Sequence, residues 1–399
     1  MKGFLITHKG MEDTASLEVK ELIEEKSKIN EACIVFDIKN YEDLFKLCYK
    51  SQSSIGIYYL LHEFNYHRNL KQISRMPKMQ GIVEHHNIFT DFKENIEKIN
   101  LEEWLNKKTQ FRVKCIKNYD NDVSTPEIEK KLGEIIIDHI QKKHNYKQQV
   151  NLENPEIIVF VYLTDKKCFV GIDFTGFDLS KRSYKIFSHA ADIKGTIGYN
   201  LIRLSNYKKN ETLLDAFSGF GTIPIESTLF ASKFPINFFN KEKFIFLEFD
   251  KFKNYDFKKL FRKLDKEISS SKLKIYNLDS SMKYLNYAKK NSKIAGVDKK
   301  IIFSRMDIEW LDTKFKKGSI DKIITKLPVH SKNPDKIYNE FFYQAEFILS
   351  NKGKIILIGN KELITKSSSK YKFKITEQRN VSSGQMKYEV FVLTKREQK

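Results

Sequence analysis

Apolar positions recur along this chain with two periods, and the change between them marks out its elements. Up to about residue 65, Gly3-Phe4-Leu5-Ile6-Thr7, Ala32-Cys33-Ile34-Val35-Phe36-Asp37 and Gly56-Ile57-Tyr58-Tyr59-Leu60-Leu61 read as strands. Between them, 11–25 reads as a helix with Ala15, Leu17, Val19 and Leu22 apolar, and 41–47 as another. Residues from about 66 to 90 show no period and carry Arg68, Lys71, Arg75 and Lys78. From about 91 a new unit begins, and Phe111-Arg112-Val113-Lys114-Cys115-Ile116 alternates as a half-buried strand does. Ser124-Thr125-Pro126-Glu127 opens a helix: a hydroxyl cap, an early proline and an acid in the first turn. That helix continues through Ile128, Leu132, Ile135, Ile136 and Ile140, and 157–162 and 167–173 form a predicted hairpin. After 195 helices and strands alternate. Helices fall at 196–204, 283–295 and 338–349, and strands at 213–216, 273–279, 301–303, 322–324, 354–358 and 388–394.

The β-α-β-α-β order of residues 1–65 predicts a small α+β unit of ferredoxin-like type. Strands separated by helices after 195 predict a doubly wound, mostly parallel α/β sheet. Residues 233–272 interrupt its first crossover with an aromatic, Lys-rich insertion. The expected division is therefore 1–65, 66–184 and 185–399.

Charge narrows the partners. The 399 residues carry a formal net charge of +20 and 31% charged residues, which favours a polyanion, with nucleic acid ahead. A Lys-rich background is the plainer source, since many lysines sit in mixed-sign stretches such as Lys241-Glu242-Lys243. On the nucleic-acid reading, the basic stretch 66–90 is equally well a linker or an RNA-facing loop. No run approaches ~18 uninterrupted apolar residues, so no membrane helix is expected. The first residues turn charged too soon for a signal peptide. Cys33, Cys48, Cys115 and Cys168 are scattered without zinc-ligand spacing, which predicts no metal site and a reduced, cytoplasmic protein.

The densest chemistry lies in Leu213-Leu214-Asp215-Ala216-Phe217-Ser218-Gly219-Phe220-Gly221-Thr222-Ile223-Pro224-Ile225-Glu226. It reads as a buried strand end, a glycine turn and the first turn of a helix, with Pro224 where a missing N–H is no loss. Such a unit builds a ligand crevice at the carboxyl edge of an open α/β sheet. The order acid–x–Phe–small–Gly–x–Gly–Thr–x–Pro–x–Glu resembles the first motif of S-adenosylmethionine-dependent amino-methyltransferases acting on nucleic acid. A dinucleotide fits poorly, because Asp215 precedes the glycines and Pro224 holds the third Rossmann glycine position.

The segment ahead resembles the THUMP domain, an RNA-binding module of RNA-modifying enzymes. The matching features are the Phe-Arg-Val strand, the helix start with Gly133 inside that helix, Asn154-Pro155-Glu156, Gly171-Ile172-Asp173 and the exit Leu179-Ser180-Lys181-Arg182-Ser183-Tyr184. Together these features resemble the THUMP-containing RNA guanine-N2 methyltransferases, most of all the archaeal tRNA branch. The resemblance implies a Rossmann-like catalytic domain, S-adenosylmethionine as cofactor, and RNA, tRNA first, as substrate. It assigns the cofactor to Asp215, Ser218, Gly219, Gly221, Thr222, Asp279 and Asp307, with Asp279 on the ribose diol, Asp307 on the adenine amine and Asp215 near the methionine end. Taken singly, Asp279 and Asp307 also read as helix caps or surface turns. Ala288-x-x-Asn291-x-x-x-Ala295-Gly296-Val297 matches the family's second-motif helix. His189-Ala190-Ala191-Asp192-Ile193 resembles its element near the methionine end, and reads equally as an ordinary helix entry.

The family's acceptor motif, (Asp/Asn)-Pro-Pro-aromatic or Asn-Leu-Pro-Phe, falls on Lys326-Leu327-Pro328-Val329. There the motif's carbonyls accept the hydrogens of an exocyclic amine and its ring stacks on the flipped base. Lys326 only donates, and Val329 has no ring. Backbone carbonyls of Lys326 or Leu327, Thr325 or His330 are the possible substitutes, and Lys326 could bind an RNA phosphate. Two readings remain: a methyltransferase acting on a guanosine amine, or an RNA- and cofactor-binding paralogue with weak or no activity.

Overall fold

The computed structural model describes residues 1–66, 88–119, 123–190, 192–329 and 331–396. Arg68, Lys71, Arg75 and Lys78, like Ala191 and His330, lie outside the described residues. The first half is one sheet of β1 (Lys2–Ile6), β2 (Ser27–Asn30), β3 (Cys33–Asp37), β4 (Gly56–Asn65), β5 (Gln110–Lys117), β6 (Gln149–Val150), β7 (Ile157–Leu163) and β8 (Lys167–Asp173). Their order is β2-β3-β1-β4-β8-β7-β5-β6. Helices α1 (Glu12–Ile23), α2 (Tyr41–Lys50), α3 (Ile88–Asn95) and α4 (Thr125–His144) bury Val19, Leu44, Phe92 and Ile136 in one core over the sheet. The expected β-α-β-α-β unit gains β2, a polar hairpin partner of β3, giving the split β-α-β-β-α-β arrangement. The sheet runs on past residue 65. β4 pairs antiparallel with β1 on one side and with β8 on the other.

The second sheet holds β9 (Thr212–Asp215), β10 (Lys274–Asp279), β11 (Ile301–Arg305), β12 (Ile320–Lys326), β13 (Leu349–Ile358), β14 (Phe373–Ser383) and β15 (Met386–Lys395). Their order is β11-β10-β9-β12-β13-β15-β14. Pairing is parallel from β11 to β13, and β15 runs antiparallel to both neighbours. One face is covered by α5 (Gly195–Leu204) and α6 (Thr222–Ala231), with α7 (Phe257–Asp265) and α8 (Met282–Ile294) following in the chain. The other face is covered by α9 (Leu311–Lys314), α10 (Pro334–Ile348) and α11 (Lys361–Lys370). The expected doubly wound, mostly parallel sheet is therefore present. No helix of the described residues is long and apolar enough to cross a membrane. The four cysteines are buried free thiols, and no group of described residues could hold a metal ion.

The insertion at 233–272 belongs physically to the first half. Phe246 packs on Phe45 at 4.6 Å between ring centroids, Phe249 on Trp104 at 5.7 Å, and Phe261 on Tyr49 at 4.9 Å. Tyr49 also donates to Asp265 at 2.6 Å, and Lys50 to Glu267 at 2.7 Å. The insertion's Phe244, Phe246, Phe249, Phe252, Phe261 and Leu264 thus complete the core under α2.

The two halves are also joined by a buried ion pair. Arg182 Nε donates to Glu226 Oε1 at 2.8 Å, with both side chains essentially inaccessible. Tyr184 donates to the same carboxylate at 2.7 Å, and Gln52, from the turn after α2, at 2.7 Å. Arg182 Nη2 reaches Glu226 Oε2 at 3.2 Å as well as the Gln52 carbonyl, and Nη1 reaches the Leu179 carbonyl. Gly195 makes room for this network, since a Cβ there would stand 2.3 Å from Glu226 Oε1. Two residues of the exit motif and the glutamate of the glycine motif are therefore one structural joint.

Candidate active site

The order of the second sheet reverses at β9, so the carboxyl ends of β9 and β12 part and leave a crevice. Asp215, Asp279 and Lys326 are the last residues of β9, β10 and β12, and Asp307 follows β11 by two residues. A cleft of about 210 Å³ opens there, lined by His189, Asp192, Asp215, Phe217, Ser218, Gly219, Phe220, Thr222, Tyr284 and Lys326, with Ile193 and Ile223.

The glycine turn is held from β10. Ser218 donates through both N–H and hydroxyl to the carbonyl of Leu278, at 3.0 and 2.9 Å. Asn277 donates to the Ser218 hydroxyl at 2.6 Å. Gly219, at φ +50°, donates its N–H to Asp279 Oδ2 at 2.9 Å, while Ser281 N–H reaches Oδ1 at 2.8 Å. Each Asp279 oxygen keeps a second lone pair for a ligand. A Cβ on Gly219 would meet nothing within 4 Å, so the backbone faces open space. Gly221, at φ +81°, serves packing: a Cβ would stand 2.9 Å from that of Ala288 on α8.

Asp215 is buried and accepts from Thr325 Oγ1 at 2.6 Å and from Phe217 N–H at 3.3 Å. Burial pushes its carboxyl up to about 8, with the charges of Asp279 and Asp192 adding to the effect. The folded chain therefore holds a proton that the unfolded chain releases near 4. Stability contributed by this group falls as pH rises through that interval and is gone above about 8. His8 acts in the opposite sense. Burial lowers it to about 4, so its share of stability is gained as pH rises to 6.5. Between pH 6.5 and 8 Asp215 acts alone of the two, and there the unfolding midpoint in urea should fall with pH. Asp215→Asn should flatten that slope; an unchanged slope would place the proton elsewhere.

Asp192 belongs to the 189–193 element that resembles the family's segment near the methionine end, and it lines the cleft with His189 and Ile193. It pairs with Lys185 at 2.7 Å and accepts from Thr222 Oγ1 at 3.3 Å. Lys326 is half-buried, its Nζ 5.7 Å from the centroid of the Tyr388 ring. Burial lowers its ammonium below the usual lysine range, against the pull of Asp192. Leu327 is buried and continues the strand by donating to the Ile358 carbonyl at 2.9 Å. Pro328 is half-buried and Val329 exposed. Thr325, a possible acceptor by sequence, is turned inward on Asp215. Asp307 is exposed and outside the cleft lining, one residue beyond Met306, whose N–H donates to the Asp279 carbonyl at 3.1 Å.

A turn open to a ligand, a half-buried carboxylate behind it, and buried Asp215 with half-buried Asp192 at the far end suit an adenosyl-amino acid cofactor. Residues 182–389 match the family model described as "RMKL-like, methyltransferase domain", and 87–173 match the THUMP domain model. The chain belongs to the RMKL-like methyltransferase family. An RMKL-like methyltransferase takes its methyl group from S-adenosylmethionine. Among its relatives, a Methanocaldococcus jannaschii protein named tRNA (guanine(6)-N2)-methyltransferase is 32% identical over 82% of this chain and 89% of its own. A protein of the same name from Archaeoglobus fulgidus is 27% identical over 63% of this chain and 61% of its own. TrmN from Thermus thermophilus shares the fold, with a TM-score of 0.69 at 19% identity over 99% of both chains. A Clostridium difficile 630 protein described as a possible methylase does so at 0.80, with 21% identity over 100% of this chain and 99% of that one.

Proposed function

We propose that this RMKL-like methyltransferase transfers a methyl group from S-adenosylmethionine to the exocyclic N2 amine of a guanosine in tRNA, working in the cytoplasm. On this reading 1–65 and 66–184 hold the RNA and 185–399 carries out the transfer. The observation that carries the proposal is the shared cleft. The Gly219 turn and Lys326, the first residue of the acceptor motif, line one crevice, in a chain similar over most of its length to a relative of that name.

The bound cofactor supplies an electrophilic methyl group on a sulfonium. The chain's own part is placement. Asp279 accepts the ribose hydroxyls with its outer lone pairs, and Gly219 lets the ligand lie against the backbone. Asp215 and Asp192 face the α-ammonium, while Asp307 borders the adenine side. At the lip, backbone carbonyls of Lys326 and Leu327 take the amine hydrogens, and Pro328 holds the loop rigid. On this reading the Lys326 ammonium binds an RNA phosphate.

Titration calorimetry with S-adenosylmethionine should show binding, weakened by about 1.5–3 kcal/mol in Asp279→Ala, the range for hydrogen bonds involving a charged group. Incubation with unmodified tRNA and cofactor, followed by nucleoside mass spectrometry, should yield N2-methylguanosine, with guanosine 6 the first position to map. Cofactor and tRNA binding without methylated nucleoside would favour the second reading, a binding paralogue, to which Lys326 and Val329 point.

A further inference from the structure

Beside the cleft stands a group of aromatic rings that no buried core absorbs. Phe187 and Tyr287 stack at 4.8 Å and 11° between planes, and Tyr287 and Phe220 lie nearly parallel at 5.8 Å and 10°. Tyr284 meets Phe220 edge-on at 5.2 Å. Phe220 and Tyr284 line the cleft itself, and Tyr284 is 40% exposed. The rings are held from below by Asn291, fully buried on α8. Its amide donates to the carbonyls of Phe187 and Phe220 at 2.8 and 3.1 Å, and its carbonyl accepts the Phe187 N–H at 3.1 Å.

The helix that carries two of these rings is strongly basic. α8 contains Lys283, Lys289, Lys290 and Lys293, all exposed, and no acid. Among the described residues none of the four forms an ion pair. Lys290 Nζ lies 5.1 Å from the Phe187 ring centroid, and Lys283 Nζ lies 5.9 Å from that of Tyr287. A preformed ring column flanked by unpaired cations matches unpaired nucleic acid: bases stack on rings, and phosphates meet ammonium groups.

The geometry points to a binding track for unpaired nucleotides of the RNA, running along α8 to the rim of the cleft. A base stacks on the exposed Tyr284 ring with Phe220 at its edge, and the adjoining phosphates lie on Lys283 and Lys290. This deepens the methyltransferase reading and rests on it.

The test uses the full chain and unmodified tRNA. In the double variant Lys283→Ala/Lys290→Ala, the slope of log affinity against log salt should shrink by roughly 1.5, the yield of about two phosphate contacts. Cofactor affinity in this variant should stay at the wild-type value. Tyr284→Ala should weaken tRNA binding on the order of 10- to 100-fold. Tyr284→Trp should restore it, which a loss of folding or of a hydroxyl would not allow. Wild-type slope in the lysine variant, or wild-type affinity in Tyr284→Ala, would overturn the track while leaving methylation of tRNA by the wild type intact. A wild type that neither binds nor methylates tRNA would instead remove the reading beneath it, and the track with it.

Discussion

Glu226→Ala should destabilise the chain by about 3–5 kcal/mol, the range for removing one partner of a buried ion pair. The substitution leaves the Arg182 guanidinium without its carboxylate inside the protein. It also strips Tyr184 of its acceptor and leaves Gln52 only the Glu226 backbone carbonyl. The cost is therefore that of an uncompensated charge and an unsatisfied Tyr184 hydroxyl, well above the ~1 kcal/mol of an ordinary hydrogen bond. Urea unfolding followed by tryptophan fluorescence reads the loss directly, because Trp104 lies in the core shared with the insertion. The double variant Arg182→Met/Glu226→Leu should recover most of it, since apolar residues of similar size pack without a desolvated charge. A loss below about 1 kcal/mol in Glu226→Ala would mean that water reaches the joint.

Lys326→Asn with Val329→Phe should raise the rate of methyl transfer to tRNA by on the order of 10²-fold, the effect of one preorganised transition-state contact. The introduced asparagine would offer a side-chain carbonyl at the end of β12, where the lysine offers only donors. The introduced phenylalanine would place a ring on an exposed lip that now holds valine. Single-turnover rates with saturating cofactor isolate the chemical step. A wild type turning over at an ordinary enzymatic rate, and impaired by the double substitution, would show Lys326 at work in another arrangement. A double variant that binds both ligands and stays inactive would favour the paralogue.

The elements that were legible are those whose burial leaves a pattern. β5 alternates buried and half-buried residues, and β7 is buried at every position, so both stood out. β2 and β14 lie at sheet edges with polar residues on their open sides, and they show no apolar period. α11 reads Lys-Glu-Leu-Ile-Thr-Lys-Ser-Ser-Ser-Lys and buries little beyond Ile364 and two serines. In α1 the apolar pattern misplaced a face. Leu17 is exposed, whereas Glu18 is buried and accepts from Ser51, Gln52 and Ser53. The glycine turn was readable because its chemistry is local. Asp192 showed no role of its own in the sequence, because its part in the cleft comes from Lys185 and Thr222, the latter 30 residues along the chain beyond α5 and β9. Glu226 sat in plain view within the motif, but its partners are 44 and 174 residues away.

The insertion imposes an order of events on the newborn chain. Ribosomes deliver the first sheet complete at residue 173, yet Phe45, Tyr49, Trp104 and Phe174 wait for rings that arrive between 244 and 261. At 5–20 residues per second, that wait lasts roughly 4–18 s. Throughout it an aromatic surface stands open to chaperones and to other nascent chains. Translation stalled in this window would leave the first sheet formed and its floor missing, and the same holds for any fragment cut near residue 184.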